Sequence, residues 1–381
     1  MTSRKIKIAF LTYRLQIGGA ERQLCLIARS LDKSKFEAVV IAIYGGGALS
    51  SELETSGIRV LSPNKRNRWD LIGFLARLRA ILRDENPDIV YSMSDYANVL
   101  NQILRVTGGR HRTVWGLRAS DNRPATRGIV WHGIFLLSRI LEKYADHLVS
   151  NSAAGLEYYR SVGYKNASAQ VIPNGTDTDR FHPDDVARQQ RREEWRAGDR
   201  FVVGFLGRIQ PKKDLACFLA AAERLKDTAE RYLIVIGGDT DNPYGVAMKE
   251  RARDLGVEVI WLGSCLDVNS IVNGFDLFCL TSAFGEGHPN ALCEAMAATK
   301  PVISSDCGDA AAILDDQDAL FAPGDDIRLA ELVRSLEEKG PNDRKKIGTR
   351  HRNRIMRIYS VERLIDATSK MLMALPGLPP A

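Results

Sequence analysis

At 381 residues the chain is long enough for two domains of roughly 100–200 residues each. Hydrophobic residues make up 45% and charged residues 26%, which excludes disorder, a collagen-like repeat and a disulfide scaffold as whole-chain readings. The net charge of +6 is uneven: residues 1–180 hold 26 Lys and Arg against 16 Asp and Glu, and residues 181–381 hold 27 against 31, so the first half is suited to meet phosphate, nucleic acid or an anionic membrane, unless its arginines only solvate helix faces.

Met1–Lys5 run directly into a strand-like segment, so no signal peptide is expected. In the first half, Lys7–Thr12, Ala38–Ile43, Arg59–Leu61, Ile89–Ser92, Thr113–Gly116 and His147–Ser150 read as strands. Ala20–Leu31, Asp70–Arg83, Ala97–Val106 and Ile129–Ala145 read as helices between them, with Leu71, Leu75, Leu78 and Leu82 at helical spacing. The most apolar run, Ile129–Ser138, is interrupted by His132 and falls short of the roughly 18 residues a membrane span needs. In the second half, strands are expected at Phe201–Leu206, Tyr232–Ile236, Val259–Leu262, Leu277–Thr281 and Pro301–Ser304. Helices are expected at Leu215–Leu225, Gly245–Leu255, Asn290–Ala298 and Arg328–Lys339. Alternation of this kind predicts an α/β protein of two Rossmann-like domains, each a parallel sheet covered by helices. The turn-rich Ile172-Pro173-Asn174-Gly175 marks the join. The six cysteines form no C-x-x-C pair and are expected to be reduced and buried.

Parallel sheets bind ligands at the carboxyl ends of their strands. Three segments occupy such ends. Gly18-Gly19-Ala20-Glu21 follows the first strand and opens a helix, where free N–H groups suit an anion or the glycines merely make a turn. Gly207-Arg208 through Lys212-Lys213-Asp214 follows Phe201–Leu206 and brings cations suited to a pyrophosphate. Glu286-Gly287-His288-Pro289-Asn290-Ala291-Leu292-Cys293-Glu294 follows Leu277–Thr281, with Pro289 predicting a helix start near Asn290. Glu286 then lies in the loop and Glu294 in the second turn, two carboxylates placed to accept sugar hydroxyls beside amides placed to take phosphate.

These motifs, in this order, resemble the retaining glycosyltransferases of family 4. The pattern E-G-x-P-N…E-A-M-A followed by a P-V-I strand stands here as Glu286–Asn290, Glu294–Ala297 and Pro301–Ile303. The G-R-x-x-x-x-K element stands as Gly207-Arg208 through Lys213, and the hinge element as Ile172–Asp177 with Phe181 and Pro183. The resemblance implies a GT-B fold of two facing Rossmann-like domains with the active site in the cleft. It implies an acceptor-binding domain over 1–173, a donor-binding domain over 174–356, and a last helix over 357–381 that crosses back. It assigns the donor diphosphate to Arg208 and Lys213, ribose to Glu294, and the donor sugar to Glu286 and the backbone of Gly287, His288, Pro289, Asn290, Ala291 and Leu292, in which every residue but Pro289 has an N–H to donate. Gly18 and Gly19 would approach the same phosphates.

Two departures stand out. Arg118, in Thr113–Asp121, occupies the region where many members carry a histidine, and Arg118, Ser120 or Asp121 would replace it. Asp214 stands where glycine usually follows the lysine, which leaves open whether Lys212 or Lys213 reaches the phosphate. Arg208, Lys213, Glu286 and Arg118 are thus the candidate catalytic residues.

No metal or cofactor is expected, since the nucleotide-sugar is a substrate. The triplets Asp177–Asp179 and Asp239–Asp241 read as a hinge and a polar loop, and His288 lacks partners at zinc-ligand spacing. The expected partners are a nucleotide-sugar, with UDP the leading base, and a polysaccharide, lipopolysaccharide or lipid-linked glycan acceptor. Lys65–Trp69 before Leu71, Ile72, Phe74 and Leu75 suits peripheral contact with an anionic membrane as well as it suits a core helix. The expected location is cytoplasmic, on the inner face of the plasma membrane where it is peripheral. Nucleic acid is not an expected partner. The rival readings are a catalytically inactive nucleotide- or glycan-binding protein on the same fold and an NAD-dependent oxidoreductase, which lacks its G-x-G-x-x-G.

Overall fold

The computed structural model describes residues 4–67, 69–118, 129–226 and 231–378. The chain divides into two compact units, residues 1–175 with 362–381, and residues 176–361. In the first unit β1 (Ile6–Thr12), β2 (Phe36–Ala42), β3 (Arg59–Leu61), β4 (Ile89–Ser92), β5 (Arg112–Leu117), β6 (His147–Ser150) and β7 (Ala169–Val171) form one sheet in the order β3-β2-β1-β4-β5-β6-β7. In the second, β8 (Phe201–Leu206), β9 (Tyr232–Gly237), β10 (Val259–Gly263), β11 (Leu277–Leu280), β12 (Val302–Ser305) and β13 (Leu320–Phe321) run in the order β10-β9-β8-β11-β12-β13. Every pairing is parallel. Both units are therefore Rossmann-like sheets. Each has a point where strand order reverses, between β1 and β4 and between β8 and β11, and a crevice at the carboxyl ends there is where such sheets take ligands.

The central strands are apolar on both faces, as a sheet covered by helices requires. Along β8 all six residues are buried, with Phe201, Val203 and Phe205 in one core cluster and Val202 and Leu206 in the other. Gly204 faces Phe275 so closely that a Cβ would lie 2.2 Å from the ring, so this strand admits no side chain there.

Several elements depart from the periodicity. The first-unit helix runs Ile72–Glu85 and buries Phe74, Leu78 and Leu82, while Leu71 precedes it and is exposed. The apolar helix ends at Leu141 and gives way to a 3-10 turn at Glu142–Tyr144. It buries Phe135, with Trp131 stacked on it at 5.1 Å, and leaves Val130, Leu136 and Ile140 in solvent. All six cysteines are free, and all but Cys265 are buried. His111 is buried and its Nε2 lies 3.1 Å from Asn101 Oδ1. Among the described residues no helix is long and apolar enough to cross a membrane.

The helix Asp185–Glu194, strongly polar in sequence, is held by hydrogen bonds from its arginines, among them two to one acid and others to Asn273 O, Phe275 O and Ser270. Asp276 accepts hydrogen bonds from Arg188 (2.5 Å), Arg192 (2.7 Å) and the Val202 N–H (2.8 Å). Burial pushes its carboxyl up, but the Arg188 charge, the Val202 N–H and Arg192 outweigh it and hold the pKa below the usual 3.8. A carboxyl depressed in the folded state stabilises above its unfolded pKa and loses that contribution as pH falls through its native one. Asp276→Asn is expected to cost about 3 kcal/mol in urea unfolding at neutral pH, with the gap to the parent chain narrowing on acidification below about pH 4.

Candidate active site

The carboxyl ends of β8 and β11, the reversal point of the second sheet, carry the two segments singled out by their cations and carboxylates. After β8 the chain passes Gly207 and Arg208 into a 3-10 turn, Pro211–Lys213. Lys213 is fixed at its backbone: its N–H donates to Gln210 O (2.9 Å) and its carbonyl accepts from the Thr281 hydroxyl (2.8 Å). The Ala283 N–H donates to Lys212 O (2.9 Å), which ties the β11 loop to the same turn. Asp214 follows with φ of 45°, in the left-handed region, and its side chain accepts from the Cys217 N–H (3.2 Å) as the cap of helix Leu215–Glu223. The conformation explains why a glycine fits this position in the family pattern, and the cap offsets what an aspartate loses by adopting it.

Of the two lysines it is Lys213 that turns to the carboxylate. Its Nζ lies 2.5 Å from Glu286 Oε1, which also accepts the Ser282 hydroxyl at 2.8 Å. Glu286 is 7% exposed. Burial pushes its carboxyl up, but the charges of Lys213 and Lys212 and the hydrogen bonds from Lys213 and Ser282 outweigh burial, so it stays below the ordinary carboxylate value. The loop is braced from behind: Asp309 N–H donates to Gly287 O (3.0 Å) and Ser305 Oγ to Ser282 O (2.7 Å). Gly308, at φ of 65°, packs so tightly that a Cβ would meet Glu286 O at 2.3 Å. Ser282, Thr281, Ser305 and Gly308 carry no motif signal, because their work is done through strand ends adjacent only in space.

Helix Asn290–Ala297 starts behind Pro289. Its first intrahelical bond is Cys293 N–H to Pro289 O (3.4 Å), so the amides of Ala291 and Leu292 lie ahead of the ladder, at the positive end of the helix. Glu294 sits one turn further on and is partly exposed. The His288 side chain turns inward, with Nε2 3.3 Å from Cys293 Sγ and its ring 5.3 Å from Tyr359. Arg208 is exposed and pairs with no acid among the described residues. The second sheet thus brings Lys213, Glu286 and the amide-rich start of helix Asn290–Ala297 to neighbouring strand ends.

In the first unit, Gly18 precedes helix Gly19–Ser30 without a side-chain cap. A Cβ on Gly18 would meet a Glu21 carboxylate oxygen at 2.2 Å, the end of a flexible side chain that can swing aside, and its φ of −157° is extended, so the local backbone does not by itself demand glycine. Arg118 follows β5 and donates to Asn174 Oδ1 (3.0 Å) and, more weakly, to the Tyr91 hydroxyl (3.4 Å). Its Nε is buried without a hydrogen-bond partner among the described residues. Ser120 and Asp121 lie outside the described residues. Asp177 and Asp239 each accept a backbone N–H of their own turn, and among the described residues no three acids, histidines or cysteines are grouped to hold a metal.

Residues 17–180 match the model of Glycosyltransferase Family 4, and residues 186–354 match that of Glycosyl transferases group 1. The chain is a glycosyltransferase of family 4. It is 26% identical over 345 residues to a Campylobacter jejuni alpha-1,4-N-acetyl-D-galactosaminyltransferase that acts on a GalNAc-containing, PP-undecaprenol-linked glycan, covering 86% of this chain and 88% of that one. It is 34% identical over 157 residues to a GDP-mannose-dependent phosphatidylinositol monomannoside mannosyltransferase of Mycobacterium tuberculosis, covering 38% and 40% of the two chains. The crystal structure of Anabaena HepE in complex with UDP and glucose superposes with a TM-score of 0.84 at 22% identity, over 97% of this chain and all of that one. The fold of this family 4 glycosyltransferase is thus GT-B.

Lys213→Met removes the cation in contact with the buried Glu286 carboxylate, leaving it the Ser282 hydroxyl and the more distant Lys212 charge, and is expected to cost about 3 kcal/mol in urea unfolding. Adding Glu286→Gln should recover part of that loss, as removing the orphaned charge requires. Gly308→Ala, strained by its φ and blocked by Glu286 O, is expected to lower the melting temperature although it removes no polar contact.

Proposed function

We propose that this glycosyltransferase moves a sugar, with retention of anomeric configuration, from a nucleotide-sugar to a polysaccharide, lipopolysaccharide or lipid-linked glycan. The observation that carries the donor site is the Lys213–Glu286–Ser282 cluster at the reversal point of the second sheet. Arg208 and Lys213 bind the diphosphate and neutralise the charge that builds on it as the glycosyl C–O bond breaks. Glu286 orients the donor sugar through its hydroxyls, Glu294 accepts from the ribose, and the backbone from Gly287 through Leu292, with N–H donors at every residue but Pro289, surrounds sugar and distal phosphate. Gly18 and Gly19 offer further amides to phosphate. The acceptor attacks on the face the leaving group departs from, and the leaving phosphate takes its proton, so no carboxylate nucleophile is required. Arg118 takes the place of the histidine that many members carry.

UDP is the proposed nucleotide, supported by the bound UDP of the HepE structure. GDP is the competing reading, favoured by the mannosyltransferase relative at 34% identity. Calorimetry with UDP, GDP and ADP decides between them. Saturable binding of one nucleotide, weakened about tenfold or more by Arg208→Ala and by Glu294→Ala, is the expected result. Binding indifferent to both substitutions would overturn the site.

The membrane reading belongs to the first unit. Trp69, Leu71 and Ile72 are 79%, 52% and 87% exposed, with Arg66, Arg77, Arg79 and Arg83 close in sequence. Apolar groups flanked by cations bind the headgroup region of anionic bilayers. We place the enzyme there, on the cytoplasmic face, and expect cosedimentation with phosphatidylglycerol vesicles, absent with phosphatidylcholine alone and reduced by Leu71→Glu with Ile72→Glu.

A further inference from the structure

The carboxyl edge of the first sheet holds a second charged cluster that the donor site does not use. Tyr13 follows β1, Tyr44 follows β2, Lys65 lies four residues beyond β3, and Tyr96 opens the helix after β4. The backbone fixes them in place: Tyr44 N–H donates to Tyr13 O (3.1 Å) and Lys65 N–H to Ile43 O (3.2 Å). The rings of Tyr13 and Tyr44 meet at 5.0 Å, and those of Tyr13 and Tyr96 at 5.7 Å. The Arg14 guanidinium lies 4.7 Å from the Tyr44 ring centre and 5.7 Å from that of Tyr13. Lys65 Nζ stands 5.7 Å from the Tyr44 ring centre and donates to Asn67 O (2.8 Å).

Two cations therefore share one aromatic ring. Neither is in a salt bridge with an acid among the described residues, although Lys65 is only 8% exposed. The acids nearest Lys65 and Tyr96 in sequence are engaged elsewhere, Asp70 with Arg77 and Asp95 with the Tyr159 hydroxyl. A buried ammonium normally has a carboxylate to offset its desolvation, and ring faces offset only part of it. Burial pushes the Tyr13 hydroxyl up in pKa and that of Tyr96 to about 12, so both remain neutral donors. Among the described residues the cluster offers two positive charges, phenolic O–H donors and no paired anion.

We infer that Arg14, Lys65, Tyr13, Tyr44 and Tyr96 form a subsite for a phosphoryl group of about two negative charges carried by the acceptor. This rests on the transferase reading above and deepens it. A carboxylate would neutralise only one of the two cations, whereas a phosphate monoester or a pyrophosphate diester matches both. Tyr13, 40% exposed, leaves the subsite open to solvent. The phosphoryl group can belong to a lipid pyrophosphate or to a soluble sugar phosphate, and the two are separable by experiment.

The test is calorimetry of the full chain saturated with UDP, titrated with inorganic pyrophosphate, farnesyl pyrophosphate and glucose 1-phosphate. The expected result is binding that Arg14→Gln and Lys65→Gln each weaken about tenfold and that Arg110→Gln leaves unchanged. Arg14 is exposed and hydrogen-bonds to nothing among the described residues, so its variant folds even where the Lys65 variant does not. Tighter binding of farnesyl pyrophosphate than of glucose 1-phosphate supports the subsite with a lipid source, and the reverse order supports it with a soluble one. The inference is overturned if none of the probes binds, or if Arg14→Gln binds them as the parent does. Repeating the titration without UDP on Arg208→Ala separates the two readings. Phosphate binding lost there but indifferent to Arg14→Gln belongs to the donor site and sinks the subsite alone. UDP binding indifferent to Arg208→Ala, with the Arg14→Gln effect intact, sinks the donor assignment alone.

Discussion

A carboxylate as enclosed as Glu286 stays ionised only while a cation and a hydroxyl are held against it. Lys213 and Ser282 do this through one oxygen, and neither is free to wander. Lys213 is pinned at both ends of its peptide unit, once to its own turn and once to Thr281 across the strand boundary. The order of strands follows from the same requirement. β8 and β11 must be neighbours for the two loops to meet, and in a doubly wound parallel sheet they are neighbours only where the winding reverses. The pair therefore fixes the carboxyl edge of the second sheet at its reversal point, and the bracing by Ser305, Gly308 and Asp309 keeps that edge from relaxing.

The two sheets share one construction and differ in how their edges are charged. In the second unit the principal cation is matched by an acid of the same chain. In the first, Arg14 and Arg118 have no acid in salt-bridge reach among the described residues, and Arg118 leaves its Nε without a partner. The charge asymmetry of the sequence halves is thus localised as well as global: part of the basic surplus stands at strand ends. Such cations raise local potential toward anions, and Arg118's hydrogen bonds to Asn174 and Tyr91 and Arg14's contact with the Tyr44 ring hold them in place without neutralising their charge.

The parallel strands were legible because buried strands read as short apolar runs bounded by turns, as Phe201–Leu206 and Leu277–Thr281 do. The Glu286–Glu294 segment was legible because its spacing, proline and asparagine all bear on one helix start. Other elements gave no such signal. Helix Gly340–Ile358 buries only Gly348, His351 and Ile355 among polar neighbours, so its apolar period is too sparse to see. Helix Asp185–Glu194 is held by Arg188 and Arg192 on Asp276, an ion-pair anchorage that hydropathy cannot register. Tyr13, Arg14, Tyr44, Lys65 and Tyr96 are spread over four strand ends, and only the order β3-β2-β1-β4 makes them neighbours. Leu71 has the spacing of a core residue but precedes the helix, and periodicity assigns a face only within the element it belongs to.

The departure at Asp214 shows how much freedom the site has. A left-handed residue other than glycine costs about 1 kcal/mol, and an aspartate cap returns about as much. The turn therefore keeps its shape, and the direction of Lys213 with it, without the usual glycine. What the turn cannot change is the division of charge beyond it. Lys213 already spends part of its charge on Glu286, so a phosphate must compete with or complete that pair. Arg208 is exposed and unmatched by any acid among the described residues, so in the proposed donor site it would meet a phosphate with its charge undiminished. The two cations are thus unequal by construction: one is positioned by the fold and already compensated, the other is available and less constrained. Charge that develops on a leaving diphosphate would draw Arg208 inward while Lys213 and Glu286 hold the geometry against which it closes.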